Sequence, residues 1–293
     1  MSFQRSLFFI LLLSSCTRSV KEDEHFLRNL MQTQPAKFQS VLDLQDSLEV
    51  QIIYTKINRD ANNRPGFKSF YFNVDSTHYF YPASTVKLPL VLLAFEKLNE
   101  LGVKGLTKFI PAFQDSMVAG QRSVRKDTTS ENGLPSIAHY VKKILIVSDN
   151  DAANCLYEFM GQRAIHERLP AKGYNMRILH RFDRLLPPDQ NRYTEAVRFV
   201  RNDTVIYSQP MLINTDSILP LRRVLKGTHH MVNNKAMPGP FDFTYKNFYP
   251  LQEYKAIGFP FMRDLGQLIY GYELNRQKEH MPDLRQFRIT YDH

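Results

Sequence analysis

The chain has 293 residues, 43% of them hydrophobic and 23% charged, a balance that supports one large or two small folded domains and excludes a disordered or fibrous polymer. Its net charge is +9, with Lys and Arg scattered in short clusters such as Lys142-Lys143 and Arg222-Arg223. No basic stripe interleaved with aromatics marks a nucleic-acid binder, so the excess reads as a solvated basic surface near anionic envelope polymers and lipids.

The chain opens with Arg5, an apolar run from Leu7 to Leu13, and small residues before Cys16. That pattern is a secretory signal over residues 1–15, too short to span a bilayer as a stable helix. Leu13-Ser14-Ser15-Cys16 resembles the lipobox of bacterial lipoproteins, which implies cleavage before Cys16 and lipidation of its thiol. The plainer reading is an ordinary cleaved signal with an incidental cysteine. The expected location is the cell envelope or periplasm, with a lipid as the only membrane anchor and the protein otherwise a monomer. With Cys16 lipidated, Cys155 has no partner for an intramolecular disulfide and reads as a small core residue.

Residues 16–40 read as a polar tether, leading into a helix through "KFQSVLDLQ" and a single domain over 41–293. "SLEVQIIYTKINRD" and "FKSFYFNVDS" read as strands on either side of the turn cluster "NNRPG", so residues 48–75 form a hairpin. After Pro82 comes a long apolar helix ended by Gly102. Residues 103–136 are mixed and turn-rich. A helix through "SIAHYVKKILIV" follows, then another from Asp149 to Met160 closed by Gly161, which places a helical subdomain at about 83–180. Residues 181–255 show no clear period. The last element is "FMRDLGQLIYGYELNRQK", whose Leu265, Leu268, Ile269 and Tyr272 share one helical face. This order predicts an α+β fold with a sheet short of strands.

In "YPASTVKLPLVLLAF", Lys87 stands in the first turn of its helix, where the positive end of the macrodipole disfavours a cation. Ser84 lies three residues earlier, on the same face. The helix terminus and the apolar neighbours Val86, Leu88, Leu90 and Val91 both favour a neutral amine, able to take a proton from a serine hydroxyl. The backbone N–H of Ser84 is suited to donate to a developing oxyanion. The structural alternative is that Ser84 or Thr85 caps the helix while Lys87 snorkels to water. A second S-x-x-K, Ser123 to Lys126, lies in the polar run "GQRSVRKDTTSENG" with no apolar helix behind it and reads as accidental.

Ser148-Asp149-Asn150 ends an apolar run and opens a helix, where helix capping is again the plain explanation. With S-x-x-K, however, this S-D-N makes the chain resemble the penicillin-interacting serine hydrolases, specifically the class A β-lactamases and their relatives. The resemblance runs through the hairpin, both motif helices and the closing helix. It implies an antiparallel sheet flanked by N- and C-terminal helices plus an all-helical subdomain. It further implies Ser84 as the acylated nucleophile, Lys87 as its proton acceptor, Ser148 as a proton shuttle to the leaving nitrogen, and Asn150 as a partner of the substrate amide and Lys87. The substrates implied are β-lactams or D-alanyl peptides, so the expected function is β-lactamase activity, the basis of antibiotic resistance. No cofactor or metal is expected, since no H-E-x-x-H or paired Cys/His spacing occurs.

Two features of that family do not occur. No E-x-x-L-N follows S-D-N; Asp183, Asp189 and Glu195 stand in that region and read as solvated loop carboxylates. No K-T-G, K-S-G or H-T-G occurs either: Lys226-Gly227-Thr228 has the wrong order, and "YKAIG" lacks the hydroxyl. The inner strands that would carry the motif are thus expected to be missing. Two other readings stay open: a D,D-peptidase or penicillin-binding type of enzyme, and a catalytically impaired relative that binds an envelope polymer or a partner protein.

Overall fold

A computed structural model describes residues 24–257, apart from residues 184, 185, 188, 189, 217 and 219. The signal segment, Cys16, Asp189 and the expected closing helix lie outside the described residues. The chain divides into two compact units, one from Met1–Asp60 and Gly66–Val74, the other from Ala61–Pro65 and Asp75–His293.

In the first unit, helices α1 (Glu24–Gln32) and α2 (Pro35–Asp43) precede strands β1 (Ile52–Arg59) and β2 (Pro65–Phe72), which pair as a hairpin. The hairpin stands where the sequence predicts it. Helix α1 replaces part of the expected tether because it is amphipathic. Leu27 and Met31, four residues apart, bury themselves with Leu42, Phe70 and Phe72, and the Phe26 ring stacks on Phe70 at 4.1 Å.

The second unit begins with a 3-10 turn, Ala83–Val86, that runs into α3 (Lys87–Glu100). Pro89 is tolerated there because it sits in the first turn, where its missing N–H has no intrahelical acceptor. Then come β3 (Ala112–Asp115), α4 (Ile137–Val147), α5 (Asn150–Met160), α6 (Gln162–Ala171), β4 (Ala196–Arg201) and β5 (Thr204–Gln209). The short strands β6 (Leu225–Lys226), β7 (His229–Val232), β8 (Lys235–Pro238) and β9 (Phe241–Asp242) complete the strands, and residues 251–257 are helical. Side-chain caps open two of these helices, the second at the S-D-N where the sequence allows one. The Ser136 hydroxyl accepts from His139 N, and Asp149 accepts from Ala152 N at 2.7 Å. Gly161 closes α5 at φ 77° and ψ 145°, a conformation open to glycine alone.

The fold is α+β, but its strands are distributed differently from the expectation. Among the described residues they form separate small sheets: β1–β2, antiparallel β3–β4–β5, antiparallel β6–β9 and antiparallel β7–β8. Strand β3 also interrupts the stretch expected to be all helical. Its alternate residues Ala112 and Gln114 are buried, and it pairs with β4, far along the chain.

Helix α5 lies at the centre of this unit. Every residue from Ala152 to Met160 is buried, as a helix surrounded by neighbours requires. Phe159 meets Phe199 of β4 edge to face at 5.6 Å, and Gln114 of β3 donates to Cys155 O at 2.8 Å. Cys155 is a buried free thiol, pushed up to about 12 by burial, in keeping with a core role. Among the described residues, no helix is long and apolar enough to cross a membrane.

Candidate active site

Neither Ser84 nor Thr85 caps a helix. Pro82 and Val86 occupy the cap positions without side-chain bonds, and the Thr85 hydroxyl donates to Pro82 O at 2.6 Å. Ser84 is exposed in the first turn of the 3-10 element. In a 3-10 helix residues i and i+3 eclipse, so Ser84 and Lys87 project from one edge more directly than in an α-helix. The residue before the serine, Ala83, is held at φ 45°, left-handed backbone that costs an alanine about 1–2 kcal/mol.

Lys87 does not snorkel. It is 2% exposed, and its Nζ donates to Ser148 O at 2.5 Å, to Ser148 Oγ at 3.2 Å and to Asn150 Oδ1. The ring of Phe182 lies 5.0 Å from the same nitrogen. Burial lowers the Lys87 pKa from its ordinary value, while the charges of Asp149 and Asp183 act in the opposite direction. Ser84 Oγ makes no hydrogen bond to a described residue, so the serine is free to meet an incoming group.

The S-D-N tripeptide divides its tasks. Asp149 caps α5, which leaves Ser148 and Asn150 for the lysine. Ser148 is itself left-handed, at φ 55°, as the residue that closes α4. The turn between two helices therefore aims a hydroxyl, a carbonyl and an amide at one ammonium. A depressed lysine is not by itself such a site. Lys97 falls to about 8 through burial, yet its Nζ is taken up by Phe159 O and Gln209 Oε1, with no serine among its described hydrogen-bond partners.

The three acidic residues separate. Asp183 is exposed but not merely solvated, since its Oδ2 accepts from Asn150 Nδ2. Glu195 is buried, which corrects its reading as a solvated loop carboxylate: its Oε1 accepts from Arg122 N at 2.8 Å. Asp189 lies outside the described residues. The signal for Asp183 was available in the polar stripe Asn150, Asn154 and Glu158 of a buried helix, which must find partners somewhere.

The second S-x-x-K lies on loop backbone: Ser123 Oγ accepts from Ser116 N at 3.0 Å, and Lys126 is exposed. Both line a cavity of about 410 Å3 beside α5 that Asp127, Lys143, Cys155 and Glu195 also border. Lys226 belongs to β6, with its Nζ 3.1 Å from His78 Nε2. Among the described residues, no group of three or more His, Cys, Asp or Glu is placed to hold a metal ion.

A family model described as the beta-lactamase enzyme family matches residues 36–222, more than half of the chain and the whole of the Lys87 constellation. The chain belongs to that family. Its members are hydrolases of the serine type, and the match spans both the S-x-x-K helix and S-D-N. No curated protein and no solved structure matches the chain.

Proposed function

We propose that this protein is a serine hydrolase that opens β-lactam amides through an acyl-enzyme on Ser84. The observation that carries the reading is the buried Lys87 Nζ, held by Ser148 and Asn150 one turn from an exposed serine that caps nothing. As an ammonium, Lys87 satisfies three acceptors. As a neutral amine, favoured by burial, it has a lone pair to offer.

In the first step Ser84 Oγ attacks the lactam carbonyl and its proton passes to Lys87. The carbonyl carbon becomes tetrahedral, and the backbone N–H of Ser84, at the start of the 3-10 turn, is suited to the oxyanion. The C–N bond then breaks as Ser148 Oγ passes a proton to the departing nitrogen and recovers one from Lys87. The product is a Ser84 ester, which water cleaves to the ring-opened acid and free serine. The remaining Asn150 N–H is suited to the substrate amide carbonyl. Residues 1–15 carry the proposed export signal, and Cys16 carries the proposed lipid anchor. The absent E-x-x-L-N favours one second reading, an acylating protein with slow release of the ester.

Incubation with a fluorescent penicillin, followed by denaturing electrophoresis and mass spectrometry, tests the reading. The expected result is one covalent adduct on Ser84, lost in Ser84→Ala. No adduct at any time or concentration overturns it. Turnover of a chromogenic cephalosporin then separates a lactamase from a slow acylating protein.

A further inference from the structure

Helix α5 presents Asn150, Asn154 and Glu158 at four-residue spacing, one stripe along the helix. The segment Arg181-Phe182-Asp183 runs past that stripe in the opposite direction, and each of its residues is gripped in turn. Glu158 takes the Arg181 guanidinium through two parallel hydrogen bonds. Asn154 behaves like a neighbouring strand, its Nδ2 donating to Phe182 O at 2.8 Å and its Oδ1 accepting from Phe182 N at 2.7 Å. Asn150 Nδ2 donates to Asp183 Oδ2. The register is set by the two buried grips, so the third brings a carboxylate to the far side of the amide that binds Lys87.

From this arrangement we infer that Asp183 is a positioning residue of the Ser84 site: its carboxylate orients the Asn150 amide with Nδ2 toward itself and Oδ1 toward Lys87 Nζ. The inference rests on the reading of Ser84 as nucleophile. An amide has two ends of nearly equal size, one a donor and one an acceptor. An ionised carboxylate only accepts and an ammonium only donates, so an amide between them fits one way. A flip would set N–H against ammonium and oxygen against carboxylate, two repulsive contacts in place of two charge-assisted hydrogen bonds. The orientation also leaves one Nδ2 hydrogen for a substrate carbonyl.

Asp183 stands at φ 51°, which asparagine adopts readily and which costs alanine about 1–2 kcal/mol. Asp183→Asn is therefore the informative variant, since it keeps backbone and volume but removes the acceptor-only group. Two carboxylates act on the Lys87 charge: Asp183, and Asp149, itself bridged to Lys143 at 3.3 Å. Loss of the Asp183 charge therefore moves the Lys87 titration to lower pH, and the acid limb of acylation moves with it.

The test measures Ser84 acylation by a fluorescent penicillin against pH in the wild type and Asp183→Asn, with melting temperatures for both. The expected result is a roughly tenfold to hundredfold slower acylation with the acid limb displaced to lower pH and the melting point retained. Asp183→Glu, which restores a carboxylate, is expected to bring the limb back toward the wild type. Equal rates and coincident pH profiles overturn the inference. The Lys87 side chain, titrated by its 13Cε resonance in both proteins, gives the same link without turnover. Coincident titrations overturn the role of Asp183, while absence of a wild-type adduct overturns the Ser84 reading instead.

Discussion

Glu158→Gln probes the joint on which the site loop depends. Glu158 and Arg181 are each about 1% exposed, and every guanidinium N–H direction is used. Two bonds go to the carboxylate, Nη1 donates to Asn191 Oδ1 at 2.9 Å and to Asn191 O at 3.5 Å, and Nη2 donates to Tyr193 O at 2.7 Å. The carboxylate also accepts from Glu195 N at 2.9 Å. A glutamine in its place keeps the shape but turns one oxygen into an NH2. In either orientation that group faces the guanidinium, and in one of them the Glu195 N–H as well, donor against donor, and the buried Arg181 charge loses the counter-ion it is paired with. Breaking a buried pair in this way costs about 3–5 kcal/mol, which lowers the melting temperature by roughly 6–20 °C for a protein of this size. Circular dichroism melts with urea titrations measure it. Replacing both partners, Glu158→Gln with Arg181→Met, is expected to recover much of the loss, because the uncompensated charge is then gone. A single variant within about 0.5 kcal/mol of wild type, or a double variant no better than the single, would refute the assignment of the cost to a stranded charge.

Two further predictions test the packing around this core. Burial holds His166 down to about 4 from its ordinary 6.5, so on acidification the unfolded chain takes up a proton before the folded one does. Stability is then lost as pH falls from 6.5 to about 4, by about 3 kcal/mol, and the urea midpoint of His166→Gln should decline less over that window; identical slopes would count against it. At Gly161, an added Cβ would lie 2.8 Å from Leu212 Cδ1 and the backbone is at φ 77°, so Gly161→Ala should cost about 1–3 kcal/mol, read from the urea midpoint and contradicted by a shift near zero.

The helices around the site were legible because their ends are written in local chemistry. Ser136 and Asp149 cap, Gly102 and Gly161 stop, and the apolar period between them specifies α3, α4 and α5. The hairpin in residues 48–75 was equally plain. Strands β4 and β5 show no clear period in the sequence, although Asn202-Asp203, both left-handed at φ 48° and 60°, form the two-residue turn that such hairpins favour. Asn233-Asn234 does the same between β7 and β8. Strand β3 carries no such mark. Only four residues long, it exists because β4 supplies its ladder from far along the chain.

The sequence by itself determined the nucleophile helix, the S-D-N turn and their kinship, because each is a run of a few residues whose chemistry is local. Tertiary structure alone decided that Lys87 is buried rather than snorkelling, and that the Ser148 carbonyl and hydroxyl join Asn150 in holding it. It also decided that Asp183 stands at the other end of the Asn150 amide. That placement follows from α5 being buried on every side: Asn154 and Glu158 cannot be left without partners there, and the segment that satisfies them carries Asp183 into register. Burial and long-range register are properties of the packed whole, which no short stretch of sequence displays.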